Sequence, residues 1–159
     1  MIPEEFVEMT RAYRLLSELD PAQLRKLLPL AQDKQFGVGQ TIFKEGDKSS
    51  FLHLIVAGEV ALEMVAGGQN VRVQTLHPGD AMGWSALNAD CHTHFQARAL
   101  TPVSTVAFPS ERIREACDRD PAMGYALMKR LLELVTERLD ATRMQVVNTH
   151  REPEAAPRR

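Results

Sequence analysis

From about residue 32 to residue 80, short apolar runs are cut by glycine-containing turns roughly every ten residues: Gly37-Val38-Gly39, Glu45-Gly46-Asp47, Ala57-Gly58-Glu59, Gly67-Gly68 and Pro78-Gly79-Asp80. Glycine supplies the positive backbone angles that reversing strands need, and an aspartate beside it satisfies turn amides. The runs between the turns have strand chemistry. Phe51 to Val56 and Val60 to Val65 flank Ala57-Gly58-Glu59, and Val71 to Leu76 follows a Gly67-Gly68 hairpin. Such even spacing of short strands predicts an antiparallel barrel or jelly roll rather than a helical or α/β fold.

The period changes on either side. Before the strands, Phe6, Met9, Tyr13 and Leu16 recur at three- and four-residue spacing, and Asp20-Pro21-Ala22-Gln23 opens a second helix with a capping box and a proline at the first helical position. Leu24, Leu27, Leu28 and Ala31 form its buried stripe, and Pro29 is expected to disturb or end it. After Phe108-Pro109, Ser110 is expected to cap a helix over Glu111 to Asp118, and Asp120-Pro121 starts a long last helix.

That last helix carries two stripes. Tyr125, Met128, Leu132, Val135, Leu139, Thr142 and Val146 alternate spacings of three and four, the a/d seam of a parallel coiled coil. Leu127, Leu131 and Leu134 form a second stripe. One face is thus expected to pack on the chain's own barrel while the other meets a second subunit in a homodimer, the other reading being a single broad core face of one monomer. The expected layout is an N-terminal helical arm over 1–31, a barrel over 32–109, C-terminal helices over 110–149 and a mobile, proline-rich tail over 150–159.

Length and charge set the outer limits. A chain of 159 residues holds one domain plus an arm. Nineteen Lys and Arg against 21 Asp and Glu give a net charge of -2, without the excess that draws a protein onto nucleic acid. Two cysteines, Cys91 and Cys117, are too few for a disulfide framework; no run of ~18 apolar residues spans a bilayer, and Met1 to Glu5 lacks the start of a signal peptide, so the cytoplasm is the expected compartment.

Three stretches carry a family likeness: Ile42 to Asp47, Leu52 to Val60 and Leu76 to Gly83. With the helical arm and the long last helix, they make the chain resemble the cyclic-nucleotide-binding domain family of bacterial catabolite-type regulators, kinase regulatory subunits and gated channels, over about residues 10 to 147. The resemblance implies a mainly β fold with an eight-stranded antiparallel jelly roll, flanking helices and a C-terminal dimerisation helix. It also implies a phosphate-binding cassette between Gly83 and Ala99, in which helix-start amides and a guanidinium receive a phosphate and a carboxylate takes the ribose hydroxyl.

Here the chain departs from the pattern. Gly83-Trp84-Ser85-Ala86-Leu87 keeps the start but puts Trp84 where the ribose-binding glutamate belongs, and the same register puts Thr93 at the phosphate-binding arginine, with His94 and Phe95 after it. Both polar anchors are missing, so the usual cyclic AMP pose is not expected. Arg98 matches a supporting arginine of the family, with a structural ion pair as the other reading, and Thr136 matches a position near the nucleotide base. The expected ligand-binding set is thus Gly83, Trp84, Ser85, Ala86, Thr93, His94, Arg98 and Thr136. Trp84 and Phe95 either stack on a planar ligand or fill a vacated pocket as core.

The chain is therefore expected to be a stand-alone, homodimeric, non-enzymatic sensor with altered or lost cyclic nucleotide specificity and no certain cofactor. About a dozen residues follow the coiled coil, so it is expected to act through a protein effector, with a small-molecule ligand at most, and not through DNA or a membrane. A different class of function rests on His92 and His94, whose alternate spacing also resembles the His-x-His of metal-dependent cupin enzymes, with Cys91 or His77 as further ligands. A third reading keeps cyclic nucleotide binding, with Ser85 and Arg98 replacing the lost anchors.

Overall fold

A computed structural model describes residues 12–88 and 92–150, with side chains through 148. Phe6, Met9, Cys91 and the expected tail beyond His150 lie outside the described residues. A 3-10 turn over Arg14–Leu16 leads to α1 (Pro21–Leu27) and a second 3-10 turn over Leu28–Leu30. Eight strands follow: β1 (Gln32–Phe36), β2 (Thr41–Phe43), β3 (Phe51–Ala57), β4 (Val60–Ala66), β5 (Gln69–Leu76), β6 (Ala81–Met82), β7 (Gln96–Ala99) and β8 (Val103–Pro109). A 3-10 turn over Trp84–Leu87 separates β6 from β7, and α2 (Ser110–Arg119) and α3 (Pro121–His150) close the order.

The strands form two four-stranded antiparallel sheets, ordered β1-β8-β3-β6 and β2-β7-β4-β5. This is the expected mainly β fold with flanking helices. The β4–β5 hairpin turns on Gly67 and Gly68, both at positive φ (59° and 76°), as a two-residue hairpin of this twist requires. Two cores result. Ile55, Val60, Leu62, Leu76, Met82, Ala97, Ala99 and Val103 fill the space between the sheets. Leucines of the N-terminal turns, Leu52, Leu54, Phe108 and the inner faces of α2 and α3 form a second core.

Local chemistry explains most boundaries. Asp20 accepts the Gln23 amide at 2.8 Å while Gln23 accepts the Asp20 amide at 3.0 Å, a complete capping box ahead of Pro21. Pro29 falls in the 3-10 turn into which α1 tightens, as expected from its missing amide. The start of α2 corrects the sequence expectation: Ser110 is its first helical residue, not its cap. β8 stays paired with Phe51 up to Pro109, which leaves no linker for a capping residue, and the Ser110 amide instead donates to the Ser50 carbonyl of the neighbouring chain segment at 2.9 Å. Among the described residues of the N-terminal arm, only the 3-10 turns and α1 are helical.

The long helix shows both expected faces. Met123, Leu127 and Leu134 are buried and Leu131 packs against them. On the opposite side Tyr125 is 71% exposed, Leu132 67% and Leu139 58%; Met128 and Val146 are exposed too, and Val135 and Thr142 half-buried. No helix among the described residues is long and apolar enough to cross a membrane.

Candidate functional site

Gly83 begins the site because no other residue fits there. Its φ is +75°, and a Cβ would stand 2.6 Å from the Phe51 carbonyl oxygen. The chain then turns sharply off β6 into the Trp84–Leu87 turn. Ala86 and Leu87 are buried behind it, and Arg114 of α2 donates from Nη1 to the Ala86 carbonyl at 2.9 Å, pinning the turn to the helical layer.

The cleft in front of this turn gathers five of the eight expected residues: Gly83, Trp84, Ser85, Thr93 and His94. Phe43, Leu62 and Phe95 give it apolar walls, and Arg138 reaches it from α3. The free space at its centre is about 20 Å3, room for about a single water and far too little for a nucleotide. A wider cleft of about 390 Å3 lies beside it, lined by Leu87, Met128 and Leu131, with Trp84, Ser85 and His94 common to both. Trp84 is thus a partition. Trp84 packs against the helical core and Phe95 against the inter-sheet core, as aromatics filling a vacated pocket do.

The other expected site residues are used elsewhere. Arg98 lies between Ala97 and Ala99, both buried in the inter-sheet core with Leu62, so strand alternation turns it to the opposite face, away from the cleft. There it forms a bidentate pair with Glu63, Nε–Oε1 3.0 Å and Nη2–Oε2 2.8 Å. That pair holds the Glu63 carboxyl below the usual carboxylate range, first through the hydrogen bond from Arg98. This is the ion pair that the sequence offered as the other reading of Arg98. Thr136 is exposed, and its hydroxyl donates to the Leu132 carbonyl of its own helix at 2.8 Å; it is not among the residues lining the cleft. Thr93 lines the cleft, but its hydroxyl donates to the Lys44 carbonyl and ties the β2–β3 loop. Ala86 is buried in the core rather than in the cleft.

His92 and His94 are exposed on either side of the buried Thr93, and His77 stands 3.5 Å from Glu59. Among the described residues, no three His, Cys, Asp or Glu side chains are placed to hold a metal ion.

The residue that sequence reasoning missed is Arg138. It is 6% exposed, its guanidinium carbon sits 4.2 Å from the Trp84 ring centroid, and its Nε donates to Gln74 at 3.1 Å. Burial pushes its pKa down to about 10, partly opposed by Asp80 and Glu137, so it stays charged at neutral pH. A signal was present: Leu127, Leu131, Leu134 and Arg138 follow one another at spacings of four, three and four, which puts the arginine on the inward stripe.

Comparison with known proteins agrees with this architecture. A solved Geobacter metallireducens protein named for cyclic nucleotide binding superposes with a TM-score of 0.74 at 32% identity, covering 87% of this chain and 99% of that one. Nitrogen fixation regulation protein FixK of Bradyrhizobium diazoefficiens is 26% identical over 86% of this chain and 55% of its own length. The global nitrogen regulator of Synechococcus elongatus is 31% identical over 65% of this chain and 48% of its own length. The chain thus spans about half the length of these curated relatives. The family model described as cyclic nucleotide-binding domain matches residues 33–120, and the chain belongs to that family.

Proposed function

We propose that this chain is a cytoplasmic, homodimeric, non-enzymatic regulatory module whose cassette has altered or lost its cyclic nucleotide specificity and whose state is read by a partner protein. The observation that carries this reading is the filled cleft: Trp84 and Arg138 stack where a nucleotide would need room, leaving about 20 Å3. A cyclic nucleotide would have to displace that stack and would then meet neither a ribose carboxylate at Trp84 nor a guanidinium at Thr93. Loss of one charged bidentate contact costs ~2–5 kcal/mol in binding, and here both anchors are replaced. The exposed seam from Tyr125 to Val146 supports dimerisation, since a stripe of large apolar residues at heptad spacing is a partner surface rather than a solvent face.

Two measurements test the reading. Millimolar cyclic AMP or cyclic GMP should leave the melting temperature unchanged; a saturable rise would mean that the cassette has found substitute anchors. Sedimentation at tens of micromolar should show a dimer, and Leu132→Asp combined with Leu139→Asp should yield a folded monomer. A wild-type chain that sediments as a monomer removes the dimeric part of the proposal.

A further inference from the structure

The buried Arg138 guanidinium is hydrogen-bonded to no carboxylate among the described residues. Among the described residues the one hydrogen bond of its side chain runs from Nε to the neutral Gln74, and its guanidinium takes part in no ion pair. The two carboxylates whose charge reaches it make their hydrogen bonds to other groups: Asp80 accepts the His77 amide at 2.9 Å, and Glu137 is paired with Arg14. A buried guanidinium is normally matched by a carboxylate or phosphate, because desolvation of the charge is costly. In this chain the ring of Trp84 covers one face of the group, and Nη1 and Nη2 are left without a protein partner among the described residues. A guanidinium edge of this kind is a two-pronged donor for a planar anion.

Resting on the reading that the cleft no longer suits nucleotides, we propose that it is a receptor for a small organic carboxylate, taken bidentately by Nη1 and Nη2 of Arg138. The cation comes from the long helix, on the wall opposite to the cassette residue it replaces. Three features set the ligand class. Among the described residues Arg138 is the one Lys or Arg lining the cleft, with Arg98 on the other side of its sheet, so a monoanion is matched better than a phosphate dianion. The walls Phe43, Leu62 and Phe95 favour an apolar or aromatic body. The body finds its room when Trp84, the partition, moves toward the adjoining cleft of about 390 Å3. Because Arg138 and the dimer seam belong to the same helix, occupancy would bear directly on the helix that carries the subunit contact.

Trp84 is the chain's one tryptophan, so its fluorescence reports on the cleft alone. Benzoate, the neutral isostere benzamide and inorganic phosphate are titrated against the full chain while Trp84 emission is followed. The expected result is a saturable change with benzoate, at least about tenfold weaker response to benzamide, and no tighter response to phosphate. Arg138→Met should abolish the benzoate response with its melting curve retained. Arg138→Lys keeps the charge but loses the fork, and should weaken the response about tenfold even if the methionine variant does not fold. Equal response to benzoate and benzamide, tighter response to phosphate, or an undiminished response in either variant overturns the proposal. Silence toward benzoate and cyclic AMP alike overturns the carboxylate assignment and leaves the nucleotide-independent reading standing, whereas saturation by cyclic AMP overturns that reading as well.

Discussion

Two arginines mark the two sides of the β4–β7 sheet, and the fold treats them in opposite ways. On the outer side Arg98 is 37% exposed at its side chain and clamps Glu63, which is 4% exposed. On the cleft side Arg138 is almost wholly buried and rests on an indole ring and an amide. The comparison teaches that position in a family pattern does not decide what an arginine does; what decides is whether the fold supplies its counter-charge. Arg98 is consumed by the structure. Arg138 is left available.

The largest expected effect breaks the outer side of this comparison. Arg98→Met leaves the Glu63 carboxylate, in a site that water barely reaches, with a long hydrogen bond from Gln96 but no paired cation, and unpairing a buried charge is strongly destabilising. We expect a loss of about 3 kcal/mol, below the upper range for buried pairs because Arg98 is itself partly solvated. Chemical denaturation at neutral pH measures it. The same change at the other arginine should behave differently: Arg138→Met removes a buried charge with no ion-pair partner among the described residues, and a long apolar side chain still covers Trp84. Its stability should lie within about 1 kcal/mol of wild type, or above it. Equal losses for the two variants would mean that Arg138 is as structural as Arg98.

A second buried base sharpens the point. His53 is 5% exposed among Phe36, Phe43 and Phe51, with Nδ1 3.0 Å from the Thr105 hydroxyl. Burial, helped by the nearby charge of Lys34, lowers its pKa from 6.5 to about 4. Burial therefore keeps the imidazole neutral down to about pH 4, whereas the guanidinium of Arg138 keeps its charge at neutral pH. Since the unfolded chain binds the proton more readily, the contribution of neutral His53 is complete above about pH 6.5, declines as pH falls from 6.5 to 4, and is gone below that. The gap corresponds to roughly 3 kcal/mol at most. Melting temperature followed over this range should fall steeply in wild type and less in His53→Phe. Parallel curves for the two would show that other groups set the acid limb.

How much was legible beforehand depended on whether a residue's role follows from local repetition. The strands were legible because glycine turns recur and each run between them has one chemistry. Both faces of α3 were legible because two apolar stripes at helical spacing cannot share one surface. Arg138 escaped because a charged residue looks like the end of an apolar stripe, although its spacing from Leu134 continues the inward face. Arg98 was matched to a family position with a structural ion pair as its other reading, and the alternation of Ala97, Arg98 and Ala99 already turned it outward. Thr136 lies outside the cleft for a similar reason: two residues beyond the buried Leu134, at about 100° per residue, it has rotated off the inner face. The Arg98–Glu63 pair joins residues 35 positions apart, and their contact depends on the β4–β7 register, which no local pattern in the chain reveals.

The smallest expected effect concerns the carboxylate nearest to Arg138 in sequence. Glu137 is half exposed and bound to Arg14 of the N-terminal turn, and Arg14 holds its carboxyl below the ordinary range. As an exposed ion pair it contributes little, so Arg14→Ala should cost about 0.5 kcal/mol. Its electrostatic consequence is more informative. With Arg14 gone, Glu137 keeps its charge but loses its partner, which makes the potential around Arg138 more negative. Neighbouring helix residues do not face each other, so Glu137 cannot simply close onto the guanidinium and neutralise it. The benzoate response of Trp84 should therefore weaken by no more than about twofold at low salt, and the difference from wild type should vanish near 1 M salt, where charges are screened within about 3 Å. A complete loss of response in Arg14→Ala would mean that Glu137 swings round and pairs with Arg138, and that the cation is available only while the N-terminal turn holds Glu137 away.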